Sequence, residues 1–200
     1  MTGADTYLNK LVAAYDGTKA TNYDGDACQD IIEYACSRFK AIRDAKRKVM
    51  LVGNGGSAAI ASHTAIDLSK NARIPAMAFN DASALTCLAN DYGYQDVFAK
   101  QIQYHGTAGD ILVAISSSGA SENIINAVLA ARRVGGVQVF TFSGFLPKNR
   151  LRGCGDINFY VPSDQYGFVE LTHQIILHQI VDALTVEHES LSAMERVPSA

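Results

Sequence analysis

No two of the four cysteines, Cys28, Cys36, Cys87 and Cys154, stand in a Cys-x-x-Cys pair or at zinc-finger spacing. That removes a disulfide framework and a cysteine-built zinc site from consideration. No Lys/Arg cluster offers a phosphate-backbone footprint, and the formal net charge is -3, so binding to nucleic acid is not expected. The one short basic run, Arg43-Asp44-Ala45-Lys46-Arg47-Lys48, reads as a solvated helix end with cations near the C-terminal dipole. No apolar run approaches the roughly 20 residues that span a bilayer, and the N-terminus carries no signal-peptide pattern. Low-complexity segments are absent. These absences point to a cytoplasmic protein with reduced thiols and no membrane partner.

What is present is a globular composition, 48% apolar and 18% charged over 200 residues, enough chain to hide roughly 70% of its unfolded surface without a staple. Ile31, Ile32, Ala35, Cys36 and Phe39 form a stripe at helical spacing, and breaks at Asp16-Gly17 and around Asn22 to Gly25 divide the first 45 residues into two helices. Asp24 or Asp26 is placed to cap the second. From residue 48 the pattern becomes strand, glycine-rich turn, helix, repeated. Val49–Val52, Ala76–Phe79, Ile111–Ile115, Val137–Phe142 and Ile157–Val161 are continuous and apolar, as in strands covered on both faces. Ala58–Leu68, Ser83–Asn90, Ser121–Val134 and Val169–Leu184 have helical length and spacing. The expected fold is α/β: a three-layer α/β/α sandwich on a five-stranded parallel sheet, preceded by N-terminal helices. One domain fills residues 1–200, divided into a helical extension (1–46), an α/β core (47–186) and a frayed tail (187–200).

Two strands end alike. Val49-Met50-Leu51-Val52 runs into Gly53-Asn54-Gly55-Gly56-Ser57, and Ile111 to Ile115 runs into Ser116-Ser117-Ser118-Gly119-Ala120-Ser121. Small residues let backbone N–H groups approach an anion, and a following helix N-terminus adds a favourable dipole. Neither turn is a GxxxxGK[ST] loop, and the first lacks GxGxxG spacing, so a nucleotide has little support. The hydroxyls of Ser116, Ser117, Ser118 and Ser121 suit a phosphate monoester with its three acceptor oxygens. The plainer alternative is a strand-to-helix turn shaped by Ser and Gly, with Ser121 as N-cap.

The pair of turns resembles the sugar isomerase (SIS) domain, and within it the phosphoheptose isomerase family. The resemblance extends to His63, Asn90-Asp91-Tyr92-Gly93, Gly109-Asp110, Val161-Pro162-Ser163 and the helix carrying His173 and His178. It implies a flavodoxin-like sheet, a homotetramer with sites built between subunits, and conversion of sedoheptulose 7-phosphate to D-glycero-D-manno-heptose 7-phosphate. Carried over by position, Ser116, Ser117, Ser118 and Ser121 hold the phosphate. Asn54, Gly55, Ser57 and Asp91 meet the rest of the substrate. Asp67 and His178 act as base and acid, and zinc sits among His63, Asp67, Glu170 and His178.

Aldose–ketose interconversion moves a proton between adjacent carbons through an enediol, which needs a base and an acid or metal. His63 and Asp67 are four apart, and so share a helix face. A set of two histidines and two carboxylates is competent for zinc or another divalent ion. The chain departs from the family pattern in several places. Asp67 replaces a glutamate and Glu170 a glutamine, so Glu170 either tightens metal binding or becomes the base. Asn71 replaces an arginine, and Gly167-Phe168 an Asp-Arg pair. A different phosphosugar is therefore an alternative, and a non-catalytic tetrameric adaptor is another. His173, on an otherwise apolar helix, is expected to be structural. Tyr92, Tyr94 and Tyr166 either line a pocket or pack, and Cys87 and Cys154 receive no catalytic role.

Overall fold

The computed structural model describes residues 3–22 and 31–195, with backbone alone from residue 186. Asp24, Asp26 and Cys28 therefore lie outside the described residues. Helices α1 (Gly3–Asp16) and α2 (Ile31–Asp44) precede the α/β core. The core then alternates β2 (Val49–Val52), α3 (Gly56–Lys70), β3 (Ala76–Ala78), α4 (Ala82–Tyr92), α5 (Val97–His105), β4 (Ile111–Ser116), α6 (Glu122–Val134), β5 (Gln138–Ser143), β6 (Ile157–Tyr160) and α7 (Tyr166–Glu195).

The sheet has six strands, not five. Five are parallel and run in the order β6-β5-β4-β2-β3, and β1 (Lys19–Asn22) is added antiparallel on β6, Lys19 facing Tyr160 and Asn22 facing Ile157. This edge strand hides from a periodicity reading because Lys-Ala-Thr-Asn is short, polar and nowhere fully buried. Helix α5 was also unforeseen. The last helix continues to Glu195, past Glu187 where the sequence loses its periodicity.

Successive strand residues point to opposite faces, and both faces are covered. Leu51, Ile111 and Val113 pack with α2, α3 and α7 in one cluster that includes Phe39, Leu68, Ile176 and Ile180. Met50, Val52, Leu112 and Ala114 pack with α4, α5 and α6, through Leu88, Phe98, Ile102, Ile124 and Val128. That is the three-layer sandwich, and it explains why β2 and β4 are buried at every position. Helix α1 packs across the start of α7, where Ala14 meets Phe168 and Val169.

Strand order fixes where a ligand binds. From β2 the chain winds outward to β3, and from β4 it winds the other way to β5 and β6. Between β2 and β4 the winding reverses, and in such sheets a crevice opens at the carboxyl ends of the two strands. Both glycine- and serine-rich turns emerge there.

Candidate active site

Strands β2 and β4 pair in register, Val49 with Ile111 through Val52 with Ala114, so their turns lie side by side. Between them is a pocket of about 140 Å³, with Asn54 and Ser57 on one wall and Ser116, Ser117, Ser118 and Ser121 on the other. Tyr166 and Glu170 close it from α7. Ordinary ligand pockets are about 300–1,000 Å³. This one takes a phosphate-sized group and part of what is attached to it, and the remainder of a ligand must extend outward.

The serine wall is more than a turn. Ser121 occupies the N-cap position of α6, yet its side chain makes no capping bond and instead accepts from the Ser116 hydroxyl at 3.1 Å. Ser117 Oγ is buried without a hydrogen-bond partner among the described residues. Leaving a hydroxyl so placed costs about 1–3 kcal/mol, which a ligand oxygen would recover. Gly119 turns the chain at φ +62, and a Cβ there would strike the side chain of Asn149. Asn149 in turn donates to Ser143 Oγ and to the Gly144 and Leu146 carbonyls, bracing the turn from below.

On the facing wall Gly55 takes φ +55 immediately before α3, a conformation glycine adopts without strain. Asn54 is held by three bonds. It donates to Asn123 Oδ1 at 2.9 Å, and its own Oδ1 accepts from Asn123 Nδ2 at 2.9 Å and from the Tyr94 hydroxyl at 3.1 Å. The Glu170 carboxylate lies directly against Gly56, where a Cβ would collide with it. It therefore sits at the N-terminal end of α3, where the helix dipole favours an anion.

Further along α3 and α7 is a second cluster. His63, Asp67 and His178 each offer a ligand atom, all within 4.8 Å of one another. His63 Nε2 is 3.2 Å from Asp67 Oδ2, His178 Nδ1 is 3.9 Å from the same oxygen, and the imidazoles meet edge to face at 5.2 Å. The cluster is open to solvent, with His63 half exposed. Two imidazoles and a carboxylate converging from facing helices are a donor set competent to hold a divalent ion.

Glu170 is outside this triad. Eight residues of helix separate it from His178, about 12 Å at 1.5 Å per residue. Since Gly56 lies beside Glu170 and Asp67 beside His178, α3 and α7 run side by side in the same direction, pocket at one end and triad further along. Asp91 does not line the pocket. Its carboxylate accepts from Asn90 Nδ2 at 2.9 Å and from the Cys87 thiol at 3.8 Å.

His173 is fully buried, with Nε2 3.2 Å from the Ser143 carbonyl and its ring edge-on to Phe142. Burial pushes its pKa down to about 4, partly opposed by that hydrogen bond. A neutral imidazole tying α7 to the end of β5 is a structural group. Phe168 is core, buried against the Tyr7 ring at 4.7 Å. Asn71 ends α3 with a long 3.5 Å contact to Asp67 Oδ1. Cys154 is half-buried and burial raises its thiol pKa, the opposite of activation. Asn123 carried no sequence signal of its own, beyond following Ser121 in the first turn of α6.

A family model described as "SIS domain" matches residues 25–144. The phosphoheptose isomerase of Sulfurimonas denitrificans is 34% identical over 187 residues, 90% of this chain and 95% of that protein. That of Campylobacter concisus is 37% identical over 159 residues, 76% and 83% of the two chains. Among solved structures, the phosphoheptose isomerase of Neisseria gonorrhoeae superposes with a TM-score of 0.78 at 29% identity, covering 90% of this chain and 97% of that one. The Francisella tularensis enzyme gives 0.76 at 28%, covering 92% and 99%. Strand order, paired turns and these similarities agree, and the chain belongs to the phosphoheptose isomerase family of SIS-domain proteins.

Proposed function

We propose that the chain is a ketose–aldose isomerase that converts sedoheptulose 7-phosphate to D-glycero-D-manno-heptose 7-phosphate through a cis-enediol. The observation that supports this best is the buried Ser117 hydroxyl, unpartnered among the described residues, in a pocket wall that it shares with Ser116, Ser118 and Ser121. Those neutral donors hold a phosphate at the α6 N-terminus, as the helix dipole favours, and the pocket is too small to take the sugar as well. Anchored there, the open chain extends past Glu170.

Two carboxylates are placed to take the carbon-bound proton. Glu170 lines the pocket and forms no ion pair among the described residues, whereas Asp67 is engaged with His63 and faces His178. When no metal engages it, His178 is the acid that serves the sugar oxygens. His63, Asp67 and His178 fit a divalent ion, most naturally zinc, which when bound would polarise the substrate carbonyl and lower the acidity barrier at the neighbouring carbon. The Glu170→Gln and Asp67→Asn variants separate the roles. Loss of proton exchange at full metal content marks the base, and loss of metal marks a ligand.

The active form is proposed to be a homotetramer. Exposed Ile66 lies on α3 one residue before Asp67, and exposed Leu171 beside Glu170 on α7, an apolar flank suited to a second subunit. A cytoplasmic location is proposed: Cys87 and Cys154 form no disulfide among the described residues, and no described helix is long and apolar enough to cross a membrane. A second reading, the same chemistry on another phosphosugar, draws on Gly167 and buried Phe168, which bring no charge to the pocket rim. An adaptor without catalysis is disfavoured because the Asp67 and Glu170 carboxylates and the His178 imidazole are all present.

Incubation with sedoheptulose 7-phosphate in D₂O, followed by NMR, tests the assignment. Deuterium beside the carbonyl together with heptose product is the expected result. Neither signal, with zinc added, would exclude this substrate.

A further inference from the structure

The reciprocal amide pair between Asn54 and Asn123 joins the two walls of the pocket. Asn54 belongs to the turn after β2, and Asn123 to the first turn of α6, two residues beyond Ser121. Asn123 is 3% exposed, so its amide has little water to turn to. Each amide donates to the other at 2.9 Å, and the Tyr94 hydroxyl adds a third bond to Asn54 Oδ1 at 3.1 Å. A primary amide has two N–H donors and a carbonyl with two lone pairs. Asn123 and Tyr94 occupy both lone pairs, and Asn123 accepts one of the two N–H groups. What remains of Asn54, which lines the pocket, is a single N–H.

We propose that Asn123, assisted by Tyr94, is a positioning residue that locks the Asn54 amide so that it presents only a donor to a substrate oxygen. The proposal rests on the phosphosugar reading of the pocket. A free asparagine samples two amide orientations and several rotamers, and half of those orientations turn a carbonyl toward the anionic or hydroxylated ligand. Fixing the amide before the ligand arrives removes that cost from binding and from the barrier. The bond also sets the spacing between the glycine and serine turns, so the donor stays in register with the phosphate anchored across from it. Tyr94, more than half exposed on the segment after α4, acts from the solvent side.

A double-mutant cycle on kcat/KM with sedoheptulose 7-phosphate tests this, using Asn54→Ala, Asn123→Ala and both together. Acting through Asn54, Asn123→Ala lowers kcat/KM about 10- to 100-fold in the wild-type background, the scale of misplacing a reacting group, and changes nothing further once Asn54 is alanine. Equal loss in both backgrounds would overturn the proposal and make Asn123 a support for the serine turn alone. Tyr94→Phe, at a surface site with no folding risk, should cost about fivefold, the worth of one hydrogen bond; unchanged kinetics would remove Tyr94 from the assignment. The clamp has a readout free of turnover as well. In ¹H–¹⁵N spectra the Asn54 side-chain proton donated to Asn123, its amide assigned by loss in Asn54→Ala, should exchange slowly with solvent and become fast in Asn123→Ala. Fast exchange in the wild type would refute the clamp even if the enzyme is active. Slow exchange in a wild type that ignores sedoheptulose 7-phosphate would leave the clamp standing and remove the substrate assignment.

Discussion

Ser117 and His173 are both buried polar groups with an atom that finds no hydrogen-bond partner among the described residues, and their environments give them opposite tasks. Ser117 faces the pocket, so its hydroxyl costs stability in the free protein and returns it on binding. Ser117→Ala should therefore raise KM about tenfold while leaving the melting temperature unchanged or higher, since about 1 kcal/mol of unsatisfied burial is removed. A fall in melting temperature with KM unchanged would make the hydroxyl structural. His173 is sealed between α7 and β5 and stays neutral when folded. The unfolded chain takes up its proton near pH 6.5, the folded one near 4, so stability falls as pH drops across that window and levels off below it. The full difference is roughly 3 kcal/mol. Denaturant midpoints of the wild type and His173→Gln, which keeps a donor for Ser143, should converge as pH falls from 7 to 4. Parallel curves would show that another group carries the acid sensitivity. The structural reading of His173 was legible from its apolar helix. The displacement of Asp91 was not, because sequence spacing says nothing of which way a carboxylate at a helix end turns.

At the scale of elements, the long apolar strands could be read to within a residue and α3, α4 and α6 to within two, because burial leaves an unbroken signal, as in Val49–Val52 and Ile111–Ser116, whereas α7 starts earlier and ends well beyond the expected Val169–Leu184. Lys19–Asn22 is held by backbone bonds to β6 and only partly covered, so its side chains carry no such record. Some elements are joined by charge instead. Asp110, at the foot of β4 and 1% exposed, accepts from Lys48 Nζ at 2.6 Å, from the Lys48 backbone at 3.2 Å and from Thr107 N at 2.9 Å. It fixes the start of β2 against that of β4, and with it the register of the two turns at the opposite end. Asp110→Asn keeps the shape and surrenders the charge and an acceptor, which should cost about 2–3 kcal/mol in urea denaturation. A loss under about 0.5 kcal/mol, the range of an exposed pair, would show that the junction is held by packing alone.

Whole-molecule geometry raises the question that one chain leaves open. The serine pocket with Glu170 and the His63, Asp67, His178 triad are separated by about two turns along α7, yet the proposed reaction needs a phosphate anchor, a base and an acid around one short sugar. The resemblance that pointed to the two turns also implied sites built between subunits, and the separation gives that implication a physical motive, in which the triad of one copy would complete the pocket of another. In a closed symmetric oligomer such sharing would be reciprocal, each subunit lending its triad to a neighbour and taking another's in return. The idea is decided by mixing two inactive variants, Glu170→Ala, defective on the pocket side, and His178→Ala, defective on the triad side. If sites are shared, hybrids in which an intact pocket meets an intact triad recover activity. For random exchange at equal amounts this amounts to about a quarter of the wild-type value, since each site draws its two halves independently. If the site closes within one chain, every copy in the mixture carries a defect and activity stays at the background of the separate variants, however thoroughly the subunits exchange. Exchange itself is verified by mass spectrometry of differentially labelled subunits, so that hybrids without activity would count against the shared site.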